Sequence, residues 1–104
     1  MSEYKFIGLE KSSNATKKFM AIFENRKTGR QKVIHFGASG YEHFTEGHLD
    51  EERKKRYIER HKKNENWNNP LTAGYWALKM LWEYKTYKEA LKHIKKDLKE
   101  KKYL

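Results

Sequence analysis

Five histidines are the side chains best suited to metal binding or proton transfer: His35, His43, His48, His61 and His93. With Asp50, Asn64 and Asn66 they would permit a ββα-metal nuclease, in which a hairpin supplies a base histidine and the packed helix supplies a metal ligand. The spacing argues against this site, because His43 and His48 lie in a predicted loop and do not form a helical i, i+4 pair. No glycine-rich phosphate loop or serine elbow is present. We therefore predict a protein that is not an enzyme and holds no metal, with a metal-dependent nuclease as the last alternative.

The balance of charge favours acidic partners. The chain has 104 residues, with 24 lysines and arginines against 14 aspartates and glutamates, which is a formal net charge of +10 at pH 7. Such a charge favours nucleic acid, an anionic membrane surface or an acidic protein. Residues 1–37 carry eight basic and three acidic groups (+5), residues 38–66 carry seven of each, and residues 67–104 carry nine and four (+5). The two basic blocks form one positive face if they lie side by side.

Two groups of basic residues are the candidate contact surface for an acidic partner. Arg26, Lys27 and Arg30 lie in a predicted turn, and an arginine fork pairs well with phosphate. The second group lies on the predicted C-terminal helix and consists of Lys88, Lys92, Lys95, Lys96 and Lys99. For that helix, lysines that only keep a small protein in solution are an equal alternative.

The elements that must position these residues begin with three strands. Residues 4–9, 18–24 and 31–36 are short segments rich in aromatic and β-branched side chains, which is typical of strands. Phe19, Ala21 and Phe23 share one face of the second segment, and Ile34 and Phe36 share one face of the third. The sequence predicts a three-stranded antiparallel meander, and one face of such a meander must be covered by another element.

The predicted cover is the stretch from Asn64 to Trp82, which holds all three tryptophans and the only proline. Asn69 and Pro70 are typical of an N-cap and a first helical residue, so a helix is expected over residues 71–82. It is apolar on nearly every face, as in a helix buried by its neighbours. We expect it to be the most buried element and to pack on the meander through Trp76 or Tyr75.

Two further helices are predicted at the surface. One covers residues 50–64, with acidic residues in its first turn and lysines in its last, as the helix dipole favours. The other begins at Thr86, where Glu89 completes a capping box, and carries an amphipathic stripe. The prediction is an α+β fold in a single domain, residues 1–104. Its parts are a β-meander (1–37), an ordered loop (38–49) and three helices (50–104), with the central apolar helix packed on the sheet.

The sequence predicts neither secretion nor a membrane span. It has no cysteine, which excludes disulfides and thiolate zinc sites. It contains no apolar run of membrane-spanning length and no signal peptide. We expect an intracellular protein without a cofactor, and its oligomeric state is left open.

The segment from His35 to Trp82 carries most of the distinctive motifs: HFGASGYEHFTEGHLDEERKKRYIERHKKNENWNNPLTAGYWALKMLW. It resembles a family of small basic proteins of nucleocytoplasmic large DNA viruses, present in mimivirus-like and chlorovirus-like groups. The pattern is a Phe-Gly-x-x-Gly-Tyr turn, an aromatic-Thr step, an Asp-x-x-Arg helix with Arg-His, then Glu-x-Trp, Pro-x-Thr-Ala-Gly and Leu-Trp. The matching positions are Phe36, Gly37, Gly40, Tyr41, Phe44, Thr45, Asp50, Arg53, Tyr57, Arg60, His61, Glu65, Trp67, Pro70, Thr72, Ala73, Gly74, Leu81 and Trp82.

This resemblance implies a viral source and a place in the virion or in the viral factory of the host cytoplasm. The predicted function is a non-enzymatic virion structural protein of a giant virus, either a minor capsid protein or an internal DNA-associated component. Its acidic partner would be the DNA backbone or capsid proteins. The alternative is a free module that binds nucleic acid independently of sequence.

Several of these residues can also be explained as determinants of the fold. Turn glycines, a helix start, a close backbone approach and tryptophans account for most of them. Arg60, His61 and Glu65 are expected to form a buried, salt-bridged cluster. The full predicted set of fold-determining residues is Gly37, Gly40, Arg60, His61, Glu65, Trp67, Pro70, Gly74, Trp76 and Trp82.

Overall fold

An antiparallel sheet of three strands forms the N-terminal part of the computed structural model, which describes residues 2–104. The strands are β1 (Tyr4–Lys11), β2 (Lys17–Asn25) and β3 (Gln31–Ala38), paired in the order β1-β2-β3. The predicted meander is confirmed, and each strand extends beyond its predicted bounds at one end or both.

The inner face of the sheet follows the alternation of its sequence. Ala21 and Phe23 of β2 pair with or lie beside Ile34 and Phe36 of β3, and all four are buried. In β1 the register shifts at Ile7, which is 45% exposed. A bulged residue breaks the two-residue period of a strand, so Phe6 and Leu9 both pack against the core although they are three residues apart.

Three helical elements follow the sheet. Helix α1 (Glu51–His61) begins after Asp50, whose carboxylate accepts hydrogen bonds from the backbone of Glu52 (3.0 Å) and Arg53 (3.3 Å). Helix α2 (Ala73–Ala77) continues into a π-helical turn (Leu78–Trp82). Helix α3 (Tyr87–Glu100) begins after Thr86, whose hydroxyl accepts from the backbone of Glu89 at 3.1 Å, as predicted. The predicted α+β arrangement of sheet and helices is therefore confirmed.

The start of the central helix differs from its prediction. The side-chain carbonyl of Asn69 accepts from the backbone N–H of Leu71 at 3.0 Å, which makes a local turn in place of a helix cap. The helix begins at Ala73, because the Thr72 hydroxyl accepts from the backbone of Tyr75 at 3.3 Å. Pro70 therefore precedes the helix, where it is fully buried.

Trp76 lies at the centre of the core, as predicted for this helix. It is 0% exposed, and its ring centroid lies 5.5 Å from Phe6, 6.2 Å from Phe23 and 5.8 Å from Phe36. Its indole N–H donates to the carbonyl of Pro70 at 2.8 Å. Trp76 thus joins all three strands to the central helix.

Helix α3, helix α1 and the turn Phe44–His48 differ in how they pack around the core. The stripe of α3 buries Ala90, Ile94 and Leu98 against the same core, while α1 has no fully buried residue. Between β3 and α1 the turn Phe44–His48 is tied to the chain before α3, because Thr45 donates to the Tyr84 carbonyl at 2.5 Å. No helix in the described part of the chain is long and apolar enough to cross a membrane.

Candidate nucleic-acid interface

Four of the five lysines predicted on α3 form one row. Lys88, Lys92, Lys95 and Lys99 are all exposed, and their spacing of four, three and four residues keeps them on one helix face. At a rise of about 1.5 Å per residue, this lysine row is roughly 16 Å long. None of the four side chains forms an ion pair within residues 2–104. Lys96 faces another direction, into a shallow cleft that it shares with Asp97 and Glu100.

The hairpin tip at the end of β2 adjoins the end of α3. The guanidinium of Arg26 donates to the carbonyl of Ser2 at 2.8 Å and to the carbonyl of Lys102 at 3.1 Å. Arg26 is therefore used to hold the two ends of the chain against the hairpin. Lys27 and Arg30, in the same hairpin tip, are exposed.

A second basic surface lies on α1, where a cleft of about 480 Å³ is lined by three arginines. Arg53, Arg56 and Arg60 are spaced i, i+3 and i+7, which places them on one face of the helix. We call this the arginine cleft. No side-chain hydrogen bond or ion pair within residues 2–104 engages any of the three guanidiniums, so their donors are free for a ligand.

Aromatic rings form much of the wall of the arginine cleft. Tyr57 is stacked between Trp82, at 4.5 Å and an interplanar angle of 6°, and His61, at 4.3 Å and 27°. Tyr41 also lines the cleft and is 70% exposed, with no other described aromatic ring against it. The cleft thus combines guanidiniums, a fixed aromatic stack and one free aromatic ring.

A lysine–histidine pair lies beneath the arginine cleft. The ammonium of Lys18 donates to the carbonyl of Tyr41 and to Nδ1 of His43, the latter at 2.8 Å. Burial, helped by the charges of Lys18 and His48, lowers the pKa of His43 to about 4. The His43 imidazole is therefore neutral at pH 7, with its proton on Nε2, and adds no charge to the cleft. Burial also lowers the pKa of Lys18, although Glu42 opposes this shift.

The expected buried cluster of Arg60, His61 and Glu65 does not form. His61 Nδ1 and Glu65 Oε1 are 3.7 Å apart, but their side chains are 41% and 30% exposed. Arg60 is exposed and points into the arginine cleft. The reason is that α1 contributes no residue to the core, so its last turn remains in contact with solvent.

Two of the predicted structural glycines are explained by their surroundings. Gly37 has φ +80°, and a Cβ built on it would lie 2.8 Å from Cδ1 of Leu81. Gly74 lies under the carboxylate of Glu65, with which a methyl group would collide. Gly40 also has a positive φ (+84°) but lies in open space, so only its backbone conformation favours glycine. The indole N–H of Trp67 is buried without a partner among the described residues.

A model of a family of unknown function (DUF5754) matches residues 7–61, which is more than half of the chain. The chain belongs to this family. No curated protein and no solved structure matches it. The DUF5754 segment contains β1 from Ile7 onward, β2, β3, the turn Phe44–His48 and α1. It therefore includes all three arginines of the cleft, but neither Trp82 nor the lysine row.

The fold brings His43 and His48 to the ring of Trp82, with centroid distances of 5.8 and 5.5 Å, and the histidines also have other partners. His35 bonds to Ser12 at 2.7 Å, His43 bonds to Lys18, and His93 stacks on Tyr84 at 4.4 Å. Across residues 2–104, no three His, Cys, Asp or Glu side chains are grouped so that they could hold a metal ion.

The arginine cleft was missed from the sequence, where α1 was treated only as a charged surface helix. A signal was present, since three arginines and Tyr57 at i, i+3, i+4 and i+7 share one face. The remaining aromatic residues of the cleft could not be found this way, because Trp82 and Tyr41 are far from α1 in sequence.

Proposed function

We propose that this protein binds nucleic acid through the phosphate backbone, without reading the base sequence. The observation that carries the proposal is the lysine row: four exposed ammonium groups on one face of α3, with no ion pair to a described acidic residue. Lysine is a mobile point charge on a flexible stem, so a row of lysines suits phosphates in any sequence context.

The charge of the whole chain supports this surface. A net charge of +10 attracts a polyanion at long range and concentrates it near the protein. Lys27 and Arg30 are exposed at the hairpin tip, where the neighbouring Arg26 contacts the carbonyl of Lys102 just beyond α3. The proposal is that a nucleic acid lying along α3 also contacts these two residues.

The salt dependence of binding tests the proposal. Phosphate contacts release counterions, so the logarithm of the association constant for duplex DNA should fall linearly with the logarithm of salt concentration, by about 0.9 per phosphate neutralised. Two duplexes of unrelated sequence should give similar affinities and slopes. Absence of binding at low salt would overturn the proposal and favour an acidic protein as partner.

The hairpin tip is tested by its own variant. Replacing Lys27 and Arg30 together by glutamine should make the salt slope shallower by up to about 0.9 for each phosphate that is no longer neutralised, and affinity should fall equally for both sequences. Arg26 is left in place, because its hydrogen bonds hold the chain ends. An unchanged slope would remove the hairpin tip from the nucleic-acid surface.

A structural role in a virion, which the viral resemblance implies, stays a prediction. It is compatible with the same basic surface, since an internal component would contact packaged DNA and a minor capsid protein would contact acidic neighbours. Quantitative mass spectrometry of purified particles checks it. A fixed copy number per particle is expected, and absence from particles would leave only a free nucleic-acid-binding protein.

A further inference from the structure

We infer that the arginine cleft is a binding site for a nucleoside phosphate, with the phosphate held by Arg53, Arg56 and Arg60 and the base stacked on Tyr41. This site is separate from the lysine row and does not depend on duplex binding. The ligand class is a nucleotide unit, either free or within a single strand.

The charges of the arginine cleft favour a phosphate group. Three guanidiniums on one helix face meet at a concave surface, and each can donate two parallel hydrogen bonds to phosphate oxygens. One carboxylate, that of Glu42, also lines the cleft, while Lys18 is bonded beneath it and His43 is neutral. The balance remains positive. Like charges gathered without partners are unfavourable for the fold, so an anionic ligand would relieve their repulsion.

The arginines differ from the lysines of α3 in their surroundings. Three lysines of the row line a shallow cleft of about 580 Å³ that contains no aromatic ring, whereas the arginines line a cleft of about 480 Å³ together with three aromatic side chains. Small-molecule sites in proteins span roughly 300–1,000 Å³, and this range includes a mononucleotide. The major groove of a duplex alone is about 12 Å wide, so a whole duplex is too broad to enter this cleft.

The aromatic wall favours a ligand that also has a planar ring. Tyr41 is 70% exposed at the rim, with no described ring against it. A base stacked on an aromatic side chain contributes roughly 1–3 kcal/mol in single-strand-binding proteins. Tyr57 and Trp82 line the same cleft and already stack on each other at 4.5 Å. Inorganic phosphate would use the arginines alone.

Adenosine monophosphate, adenosine and inorganic phosphate are the probes for a calorimetric titration. The monophosphate should bind at least tenfold more tightly than either of the other two, because only it uses both parts of the cleft. Equal affinity for the monophosphate and inorganic phosphate would overturn the role of Tyr41. No saturable binding of the monophosphate would overturn the site.

Variants on the two faces of α1 separate a site from a general charge effect. Arg53→Gln with Arg56→Gln removes two charges from the cleft. Lys55→Gln with Lys62→Gln removes two charges from the opposite face, where these lysines lie with Ile58. The arginine pair should weaken monophosphate binding at least tenfold and the lysine pair less than twofold. Equal losses of affinity would show that the cleft is not a site.

Tyr41→Ala should weaken binding of the monophosphate but leave that of inorganic phosphate unchanged. Equal melting temperatures are expected for all these variants, since none of the exchanged side chains is buried.

A short single-stranded oligonucleotide then identifies the source of the ligand. Binding more than tenfold tighter than the monophosphate indicates a strand, and similar binding indicates a free nucleotide. A variant without the lysine row should retain monophosphate binding, so that failure of the duplex surface and failure of the cleft are distinguishable.

Discussion

Trp76 and Trp82 lie six residues apart on one continuous helical segment, yet they have opposite surroundings. Trp76 is completely buried among phenylalanines of the sheet, and its N–H is bonded to Pro70. Trp82 is half-buried, stacks on Tyr57 of α1 and borders a cleft with three arginines. Both residues lie in the stretch that the sequence predicted to be core.

The difference shows that one apolar helix can serve two purposes along its length. Its first half completes a hydrophobic core, where shape and dispersion determine which residues fit. Its π-helical second half also buries Met80 and Leu81 in this core, but its last residue, Trp82, borders a polar surface where α1 packs while remaining exposed. Stability should therefore depend most on the Trp76 end, and ligand binding on the Trp82 end.

The largest expected effect is at Trp76. Trp76→Ala should lower the free energy of unfolding by about 3–5 kcal/mol, as for other large buried aromatics. Trp82→Ala should cost roughly half as much, since part of its ring is already in contact with water. Chemical denaturation of both variants measures the difference. An unchanged melting temperature for Trp76→Ala would contradict its central position.

The next largest loss of stability is expected at Gly37, which lies against the side chain of Leu81 in the second half of the helix. Gly37→Ala forces a side chain into the left-handed region, at about 1–2 kcal/mol, and into contact with Leu81, at a further 1–3 kcal/mol. Gly40→Ala is the matched control: its φ is also positive, but a Cβ would meet nothing within 4 Å. The control should show only the conformational part of this destabilisation. Equal destabilisation by the two variants would show that Leu81 moves aside freely.

The Trp82 end should also give the protein a pH dependence, through His43. Its pKa is about 4 in the fold and 6.5 in the unfolded chain, so between these values the unfolded state binds the extra proton. Stability from His43 is complete above pH 6.5, falls as the pH drops towards 4 and is constant below that. At roughly 1.4 kcal/mol per pKa unit the decrease reaches at most about 3.5 kcal/mol.

His43→Gln is the control for this pH effect, because glutamine can accept the bond from Lys18 without titrating. The difference in unfolding free energy between wild type and variant should change with pH only in that window. A difference that is constant from pH 7 to pH 4 would mean that His43 titrates normally in the fold.

The smallest expected effect is at Gly74, near the Trp76 end. Alanine is better than glycine in a helix by about 1 kcal/mol, but here its methyl group must displace the carboxylate of Glu65. Gly74→Ala should be neutral or destabilising in the wild type and stabilising by up to about 1 kcal/mol in a Glu65→Ala background. Thermal denaturation of the wild type, the two single variants and the double variant gives the complete double-mutant cycle. Stabilisation in both backgrounds would show that the Glu65 carboxylate moves away from the methyl group without a cost in stability.

Local patterns predicted most of the fold. The alternation of Phe19, Ala21 and Phe23, and the cap at Thr86, each depend on residues close together in sequence. The predicted start of the central helix was wrong, because Asn69 and Thr72 are both good N-cap residues and local sequence does not decide between them. In the fold Asn69 forms a turn and Thr72 caps the helix.

The candidate site was predicted less completely. The lysine row follows from helical spacing within α3, so its four members could be found in the sequence. The arginine cleft also needs Tyr41 and Trp82 beside α1, which is a tertiary arrangement. The role of Arg26 also depends on tertiary contacts, since the carbonyl of Lys102 that it binds is 76 residues away.

The central claim is that the lysine row is a nucleic-acid surface. The most direct test compares two variants that each lose four lysines, one set in the row and the other outside it. One variant replaces Lys88, Lys92, Lys95 and Lys99 by glutamine, and the other replaces Lys11, Lys17, Lys55 and Lys62, which are exposed elsewhere. Duplex affinity is measured by fluorescence anisotropy across a range of salt concentrations. The salt slope of the row variant should be shallower by up to about 0.9 per lysine that contacts phosphate, and that of the second variant should change much less. Equal slopes for the two variants would contradict the claim, because binding would then follow total charge and not this face of α3.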